Sequence, residues 1–270
     1  MILLATDLDR TLLPNGPLPD DGGIPALFAA LKDVPYKLAY VTGRNLDLVR
    51  EAQKEYGVPT PDYLIAEVGT VLYRKDAGAL VPDARWEASI TSSEPNWVRD
   101  RITSVIGSPN GLALQEDWKQ NPFKISYYLH DHAEKDAVLA RIDEALAQVA
   151  VRASVLWSVD PLAGNVGLID VLPEVATKAT ALEFLRAQEN LTKEKVVYCG
   201  DSGNDILPLT RCYTSILVKN APEDVKEKVR QLVEETGCAD RLYIAVGAER
   251  SGNYASGILE GLVRFGIVSA

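Results

Sequence analysis

The chain has 270 residues, 47% of them apolar, and its 28 Lys+Arg against 38 Asp+Glu leave a formal net charge of −10. That length and apolar share support a packed core, either as one large domain or as a core with a smaller second domain. The acidic balance repels phosphate backbones and anionic lipid and so argues against nucleic-acid and membrane partners, while a bound divalent cation would still admit a small anionic substrate. No apolar run approaches the roughly 20 residues that span a bilayer, and the N-terminus starts on a strand with no basic leader, so a cytoplasmic location is expected. Cys199, Cys212 and Cys238 form no Cys-x-x-Cys pair, and free thiols in a reducing compartment are the default expectation. Asn190-Leu191-Thr192 matches a glycosylation acceptor and, with no secretory leader, reads as incidental.

In chain order, Ile2-Leu3-Leu4-Ala5 is a short apolar run that reads as a buried parallel strand, followed at once by Asp7-Leu8-Asp9-Arg10-Thr11-Leu12. The stretch from Leu13 to Gly23 is dense in Pro, Gly and Asp and predicts a loop, placed where it could gate a site above the strand. A helix from Pro25 to Lys32, a strand from Lys37 to Val41, and a helix capped by Asn45 and stopped by Gly57 follow. Tyr63 to Ala66 is a third strand and Thr70 to Tyr73 a short fourth element. Between about Pro82 and Gly164 the pattern changes to an α+β order with antiparallel character: helix Glu94–Ile106, strands Leu112–Leu114 and Lys124–Leu129, helix Ala133–Val149 and strand Ala153–Trp157. All four tryptophans (Trp86, Trp97, Trp118 and Trp157) fall there. The parallel pattern resumes with Leu168–Leu172, helix Thr177–Gln188, strands Val196–Cys199 and Ser215–Val218, a helix from Pro222, strand Leu242–Val246 and a last helix with Ile258, Leu259, Leu262 and Phe265 inward. The expected fold class is α/β, a Rossmann-like parallel sheet core at 1–83 and 165–270, with an inserted α+β cap domain at 84–164.

Polar residues sit at four predicted strand ends or helix starts: Asp7 and Asp9, Thr42, Lys178, and Asp201 with Asp205 in Gly200-Asp201-Ser202-Gly203-Asn204-Asp205. Open α/β sheets bind ligands at the carboxyl ends of their strands. Adjacent carboxylates repel, and that repulsion is reconciled by a shared cation or by one protonated partner. Singly, each Asp reads more readily as an N-cap or turn residue, Thr42 as a turn hydroxyl and Lys178 as a solvated first-turn lysine. Jointly, Asp7, Asp201 and Asp205 make an oxygen-rich site suited to Mg²⁺. Beside it, Asp7 can attack phosphorus and Asp9 can carry the proton, while the Thr42 hydroxyl, the Gly43 amide and the Lys178 ammonium hold phosphoryl oxygens.

Asp-Leu-Asp-Arg-Thr-Leu, Thr-Gly-Arg at 42–44, Lys178, and Gly-Asp-Ser-Gly-Asn-Asp at 200–205 resemble the four ordered motifs of the haloacid dehalogenase (HAD) superfamily of phosphatases. The insertion between the second and third motifs resembles members with a type-2, Cof-like cap. The resemblance implies an aspartyl-phosphate mechanism with Asp7 as nucleophile and Asp9 as acid/base. It gives the metal ligands as Asp7, the Asp9 carbonyl, Asp201 and, directly or through water, Asp205, and adds Arg44 and Asn204 to the substrate-binding set. Pro61-Asp62-Tyr63-Leu64-Ile65, Val68-Gly69-Thr70, Gln120-Asn121-Pro122-Phe123-Lys124, Val171-Leu172-Pro173 and Gly252-Asn253-Tyr254 are similar to sucrose-6-phosphate phosphatases. That narrower resemblance implies a sugar phosphate, most of all sucrose 6-phosphate, as substrate. Thr177-Lys178-Ala179 replaces the family's Gly-Lys-Gly, and the passage around Pro161 to Val166 is longer, departures that leave the sugar open.

In the cap, Gln115, Gln120 and Lys124 are the expected sugar contacts, beside Trp118, whose indole face could stack on a ring; the bland reading is that the tryptophans fill the cap's small core. His130-Asp131-His132 reads as a solvated loop rather than a second metal site. A glycosyl-phosphate synthase is the candidate protein partner, and a monomer is favoured. The rival readings are a phosphatase of mannosylfructose, glucosylglycerol or mannosylglycerate phosphate, and a catalytically silent sugar-phosphate-binding domain.

Overall fold

The computed structural model describes residues 1–109, 111–160 and 163–269. Among them, in chain order, run β1 (Ile2–Thr6), α1 (Gly23–Ala30), β2 (Tyr36–Val41), α2 (Leu46–Tyr56), β3 (Tyr63–Ala66), β4 (Val71–Asp76), β5 (Ala79–Pro82), α3 (Ala84–Ser93) and α4 (Arg99–Ile106). There follow β6 (Leu112–Leu114), β7 (Ile125–Leu129), α5 (Lys135–Gln148), β8 (Ala153–Asp160), β9 (Val166–Pro173) and α6 (Lys178–Gln188). The chain ends with β10 (Val196–Gly200), α7 (Ile206–Leu209), β11 (Thr214–Leu217), α8 (Glu223–Glu235), β12 (Leu242–Ile244) and α9 (Tyr254–Arg264). These elements divide into two compact units, Met1–Asp83 with Lys178–Ala270, and Ala84–Thr177.

The first unit is an eight-stranded sheet in the order β12-β11-β10-β1-β2-β3-β4-β5. It is parallel from β12 to β3 and antiparallel from β3 to β5. Central strands of such a sheet are covered on both faces and must be apolar throughout, as the buried Leu3, Leu4 and Ala5 and the buried Val196 to Cys199 are. The order reverses between β1 and β10, so the carboxyl ends of these two neighbours flank the crevice where open α/β sheets take their ligands. Local chemistry sets the helix ends: Asn45 accepts the Leu48 N–H at 3.0 Å, and Gly57 closes α2 at φ 67°, a left-handed angle that glycine adopts without strain. Among the described residues, no helix is long and apolar enough to cross a membrane.

The second unit is a four-stranded antiparallel sheet in the order β6-β7-β9-β8, with Ile102, Ile106, Val138, Ile142 and Leu146 of α4 and α5 in one core with Ile125, Tyr127, Ile169 and Val171 of β7 and β9. Here the sequence reading needs correction. The run Leu168–Leu172 looks like a buried core strand, yet β9 lies between β7 and β8 and belongs to this unit, which extends to Thr177 rather than 164. Gly167 shows what holds it there: a Cβ at that position would meet the Trp157 ring at 2.2 Å, so the indole packs across the bare glycine of the neighbouring strand. The helix expected over Glu94–Ile106 starts only at Arg99, because Pro95 falls in the break Glu94–Val98, and the helix Ala84–Ser93 before that break was not expected. Pro161 and Leu162, which begin the stretch read as a lengthened passage, lie outside the described residues.

The thiol expectation is also corrected. Cys212, before β11, and Cys238, after α8, form a disulfide with Cα atoms 5.4 Å apart and a separation of 26 residues, leaving Cys199 buried and free. The parallel β11–α8–β12 unit brings the two ends together although nothing in their spacing announces it. Free thiols therefore no longer support a reducing compartment. A loop of that size implies about 3–4 kcal/mol from restricting the unfolded chain, so reduction should lower the thermal midpoint of the parent chain and leave that of Cys212→Ser unchanged. Equal midpoints for the parent with and without reductant would contradict this.

Glu189, just past α6, accepts from Lys37 Nζ at 2.6 Å and Arg74 at 2.7 Å, and Lys37 also donates to the Tyr63 hydroxyl at 2.7 Å. Arg74 pairs in turn with the buried Asp83. Burial alone would raise the Glu189 carboxyl; the hydrogen bonds from Lys37, Arg74 and Tyr63 outweigh it and lower it to about 2 from 4.5. Because the folded value is depressed, the resulting stability is fully present above about pH 4.5 and is lost as pH falls through 2. Glu189→Gln should therefore cost roughly 1.5–3 kcal/mol at neutral pH and flatten the acid limb of stability, read from urea midpoints between pH 6 and 2. An unchanged acid limb would remove Glu189 from the account.

Candidate active site

Asp7 follows β1 directly and Asp201 follows β10, so the two side chains emerge side by side at the switch point. Asp205 reaches the same place from the first turn after Gly200, whose missing side chain makes the approach feasible: a Cβ there would lie 2.5 Å from Asp205 Cβ and 2.7 Å from its Cγ. Carboxylate oxygens of Asp7, Asp201 and Asp205 lie within 4.8 Å of one another, and all three residues are buried. Lys178, the first residue of α6 and 2% exposed, projects into them. Its ammonium is 3.1 Å from Asp7 Oδ2 and donates to Asp205 Oδ1 at 2.9 Å and to Asn204 Oδ1 at 2.8 Å.

One lysine cannot balance three buried acids. Burial pushes the Asp7 carboxyl well up, against the pull of Lys178 and with further pushes from Asp205, Asp201 and Asp9. Burial and the neighbouring Asp205 raise Asp201 to about 7, although Arg10, 3.4 Å away, and a hydrogen bond from Thr11 oppose them. Asp205 goes the other way. Its burial is outweighed by Lys178 and by hydrogen bonds from Tyr198 and Ser202, and it stays ionised. A donor set of buried carboxylate oxygens with no nitrogen or sulfur, holding more negative charge than its own lysine offsets, fits a hard divalent cation.

Asp9 stands differently. Burial would raise it, but Arg44, at 2.7 Å, and Asn15, at 2.5 Å, hold its carboxyl below the usual range. Arg44, expected on the substrate, is thus spent on Asp9, and Asp9 is held as the carboxylate rather than as an acid. Asn15 also accepts the Arg10 N–H at 2.8 Å, clamping a backbone that turns through φ 57° at Arg10. The loop read as a gate is anchored at several points. Tyr254 accepts the Leu18 N–H at 3.1 Å and donates to the Leu18 carbonyl at 3.3 Å, and Asp21 accepts from Ser256 and Ser251 at 2.6 and 3.0 Å.

Thr42, fully buried after β2, accepts the Arg44 N–H at 3.1 Å, the turn contact that the bland reading expects. Gly43 beside it is exposed. Sequence reading missed the support beneath this turn: Glu67 and Val68 take φ 50° and 58°, unusual for residues with side chains, and donate to the Arg44 and Thr42 carbonyls at 3.1 and 3.0 Å. Asn204 Oδ1 accepts from Lys178 at 2.8 Å and from the Ser202 hydroxyl at 3.1 Å.

In the second unit, Gln120 spends its whole amide on main chain, donating to Gln115 and Ser126 carbonyls at 3.0 and 2.9 Å and accepting the Ser126 N–H at 2.8 Å, so it shapes the loop. Gln115 donates to the Tyr127 carbonyl at 3.0 Å. Lys124 is buried, and beside it lies Asp170 of β9, which accepts from Ser126 and was missed because β9 reads as core. Trp118 is 59% exposed with the Lys119 ammonium 4.8 Å from its ring, whereas Trp86 is buried and Trp97 donates its indole N–H to the Pro122 carbonyl. Trp86, Trp97 and Trp157 thus fit the core-filling reading, while Trp118 keeps its indole exposed.

The sucrose-6F-phosphate phosphohydrolase family matches residues 1–266. The chain belongs to that family. A HAD-like hydrolase of Nitrosococcus oceani is 36% identical over 98% of this chain and 71% of its own length. Sucrose-phosphatase 2 of Nicotiana tabacum is 29% identical over 83% of this chain but 51% of its own, so the chain spans about half the length of that relative. Mannosylfructose-phosphate phosphatase of Agrobacterium fabrum is 28% identical over 98% and 97%. Among solved structures, the sucrose-phosphatase of Synechocystis in complex with sucrose and phosphate is similar, with a TM-score of 0.78, 28% identity and 98% of both chains covered. Family and fold make this a HAD-fold phosphoric monoester hydrolase of a class that uses a divalent metal.

The Gly200 contact is testable. Gly200→Ala drives a methyl into a carboxylate that is 0% exposed and cannot retreat, so it should cost about 1–3 kcal/mol and shift divalent-metal affinity. A variant with the parent's melting point and Mn²⁺ titration would contradict this placement of Asp205.

Proposed function

We propose that the protein is a Mg²⁺-dependent phosphatase of a disaccharide phosphate, sucrose 6-phosphate first, acting through an aspartyl phosphate on Asp7. The observation that carries the chemistry is the convergence of Asp7, Lys178, Asp201 and Asp205 at one sheet switch point. Asp7, the Asp9 main-chain carbonyl, Asp201 and, directly or through water, Asp205 would hold the Mg²⁺. The cation supplies the positive charge that lets a carboxylate meet a phosphate dianion. Asp7 attacks phosphorus while Thr42, Gly43 and Lys178 hold the phosphoryl oxygens. Asp9, a carboxylate in the free protein, takes up a proton from water on parting from Arg44, gives it to the leaving sugar oxygen and then, again a carboxylate, takes the proton of the attacking water. For that it must exchange its bond to Arg44 for one to substrate, so Arg44 tunes the acid rather than binding sugar.

The inserted unit is assigned the role of substrate-specificity cap. Lys124, Ser126, Gln115 and Asp170 supply polar groups and Trp118 an exposed indole face, the complement that a sugar's hydroxyls and apolar ring face require. Sucrose 6-phosphate is supported by the family match and by the full-length likeness to the Synechocystis enzyme. Mannosylfructose phosphate is the second reading, supported by the full-length Agrobacterium relative. As a monomer able to associate with the synthase that makes its substrate, the protein would act late in the synthesis of a non-reducing sugar.

Phosphate release across a panel of sugar phosphates, with and without EDTA, tests the reading. Turnover of sucrose 6-phosphate that EDTA abolishes is expected, with Asp7→Asn lowering kcat at least about a thousandfold while the fold persists. Turnover of mannosylfructose phosphate alone would move the protein to the second reading, and no metal-dependent turnover on any member would defeat both.

A further inference from the structure

The middle of β10 holds a tyrosine that the catalytic motifs do not include. Val197 and Cys199 face the core cluster shared with α1 and α9, and by strand alternation Tyr198 points to the opposite face. There its hydroxyl, wholly buried, donates to Asp205 Oδ1 at 2.6 Å. The same oxygen accepts from Lys178 at 2.9 Å. Asp205 Oδ2 accepts the Asp201 N–H at 3.1 Å, the Ser202 N–H at 3.0 Å and the Ser202 hydroxyl at 3.1 Å. A carboxylate has about four lone-pair directions, and Tyr198, Lys178 and the Asp201 and Ser202 amides fill those of Asp205, with the Ser202 hydroxyl shared between it and Asn204. Asp205 is therefore engaged on every side before a cation arrives, unlike Asp7 and Asp201.

Resting on the phosphatase reading above, we propose that Tyr198 is a positioning residue. Its hydroxyl saturates Asp205 Oδ1, which keeps that carboxylate off the cation and keeps Lys178 between Asp205 and Asp7. Two consequences follow for opposite quantities. Without the hydroxyl, Asp205 Oδ1 gains a lone pair and can turn toward the metal as an extra anionic ligand, so the cation binds more tightly. Lys178 loses its fixed partner, so its placement on the phosphoryl group deteriorates and turnover slows. General loosening of the site would weaken metal binding and turnover together, and so has a different signature.

The test is Tyr198→Phe in the full chain, which removes one oxygen from a site whose remaining donors to Asp205 are intact. Calorimetric titration with Mg²⁺ alone should give a Kd about tenfold tighter than the parent's, opposite in sign to the roughly 10–100-fold loss that removing a partner of a metal-bound ligand ordinarily causes. Steady-state assays should show kcat about tenfold lower with KM for the sugar phosphate within twofold. In an Asp205→Asn background the tightening should vanish, because Tyr198 acts through Asp205. A Kd unchanged or weaker in Tyr198→Phe, or tightening that persists beside Asp205→Asn, overturns the role. A parent chain that binds Mg²⁺ yet hydrolyses no sugar phosphate overturns the proposed function while the Kd comparison still decides Tyr198, and a parent that binds no Mg²⁺ overturns both.

Discussion

The structure turns on an imbalance of charge: three buried carboxylates around one buried ammonium at the carboxyl ends of β1 and β10. Like charges at that distance and depth hold together only if something positive joins them or protons remain on them. Burial and the neighbouring acids push the carboxyls of Asp7 and Asp201 up, while Lys178 and its hydrogen bonds hold that of Asp205 down. A site with such a deficit is ready for a cation and, through it, for a phosphate that an acidic protein would otherwise repel.

Much of the neighbouring architecture serves to hold that imbalance in place. Gly200 gives Asp205 room, Tyr198 and Ser202 fix its orientation, and Thr11 and Arg10 attend to Asp201. Arg44 and Asn15 hold Asp9 apart from the cluster, which separates two carboxylates only two residues apart into different roles. The two acids of Asp-Leu-Asp thus stand in different environments, one raised by burial and its acidic neighbours and the other lowered by an arginine.

The core and the carboxylate cluster were legible because their signals are local. An apolar run ending in Asp-Leu-Asp, an Asn cap, a Gly stop and Gly-Asp-Ser-Gly-Asn-Asp each say where a strand or helix ends, and parallel topology then gathers those ends. What escaped depends on partners distant in sequence. Leu168–Leu172 has the composition of a core strand, and only its pairing with β7 and β8 assigns it to the second unit. Asp170 was hidden by that misplacement. The Cys212–Cys238 bond closes across a βαβ unit, and the Arg44–Asp9 pair spans 35 residues, so neither has a spacing rule that reveals it. Tyr198 sits inside an apolar strand, where an aromatic ring looks like filling until its hydroxyl is seen on Asp205.

The central claim is that Asp7 becomes phosphorylated during turnover, and chemical trapping reads this most directly. Acid quenching in the steady state with sucrose 6-phosphate, borohydride reduction of the acyl phosphate and peptide mass spectrometry should find homoserine in place of Asp7 and of no other aspartate. Turnover with an unmodified Asp7, or with the mark on Asp9, Asp201 or Asp205, would contradict the account.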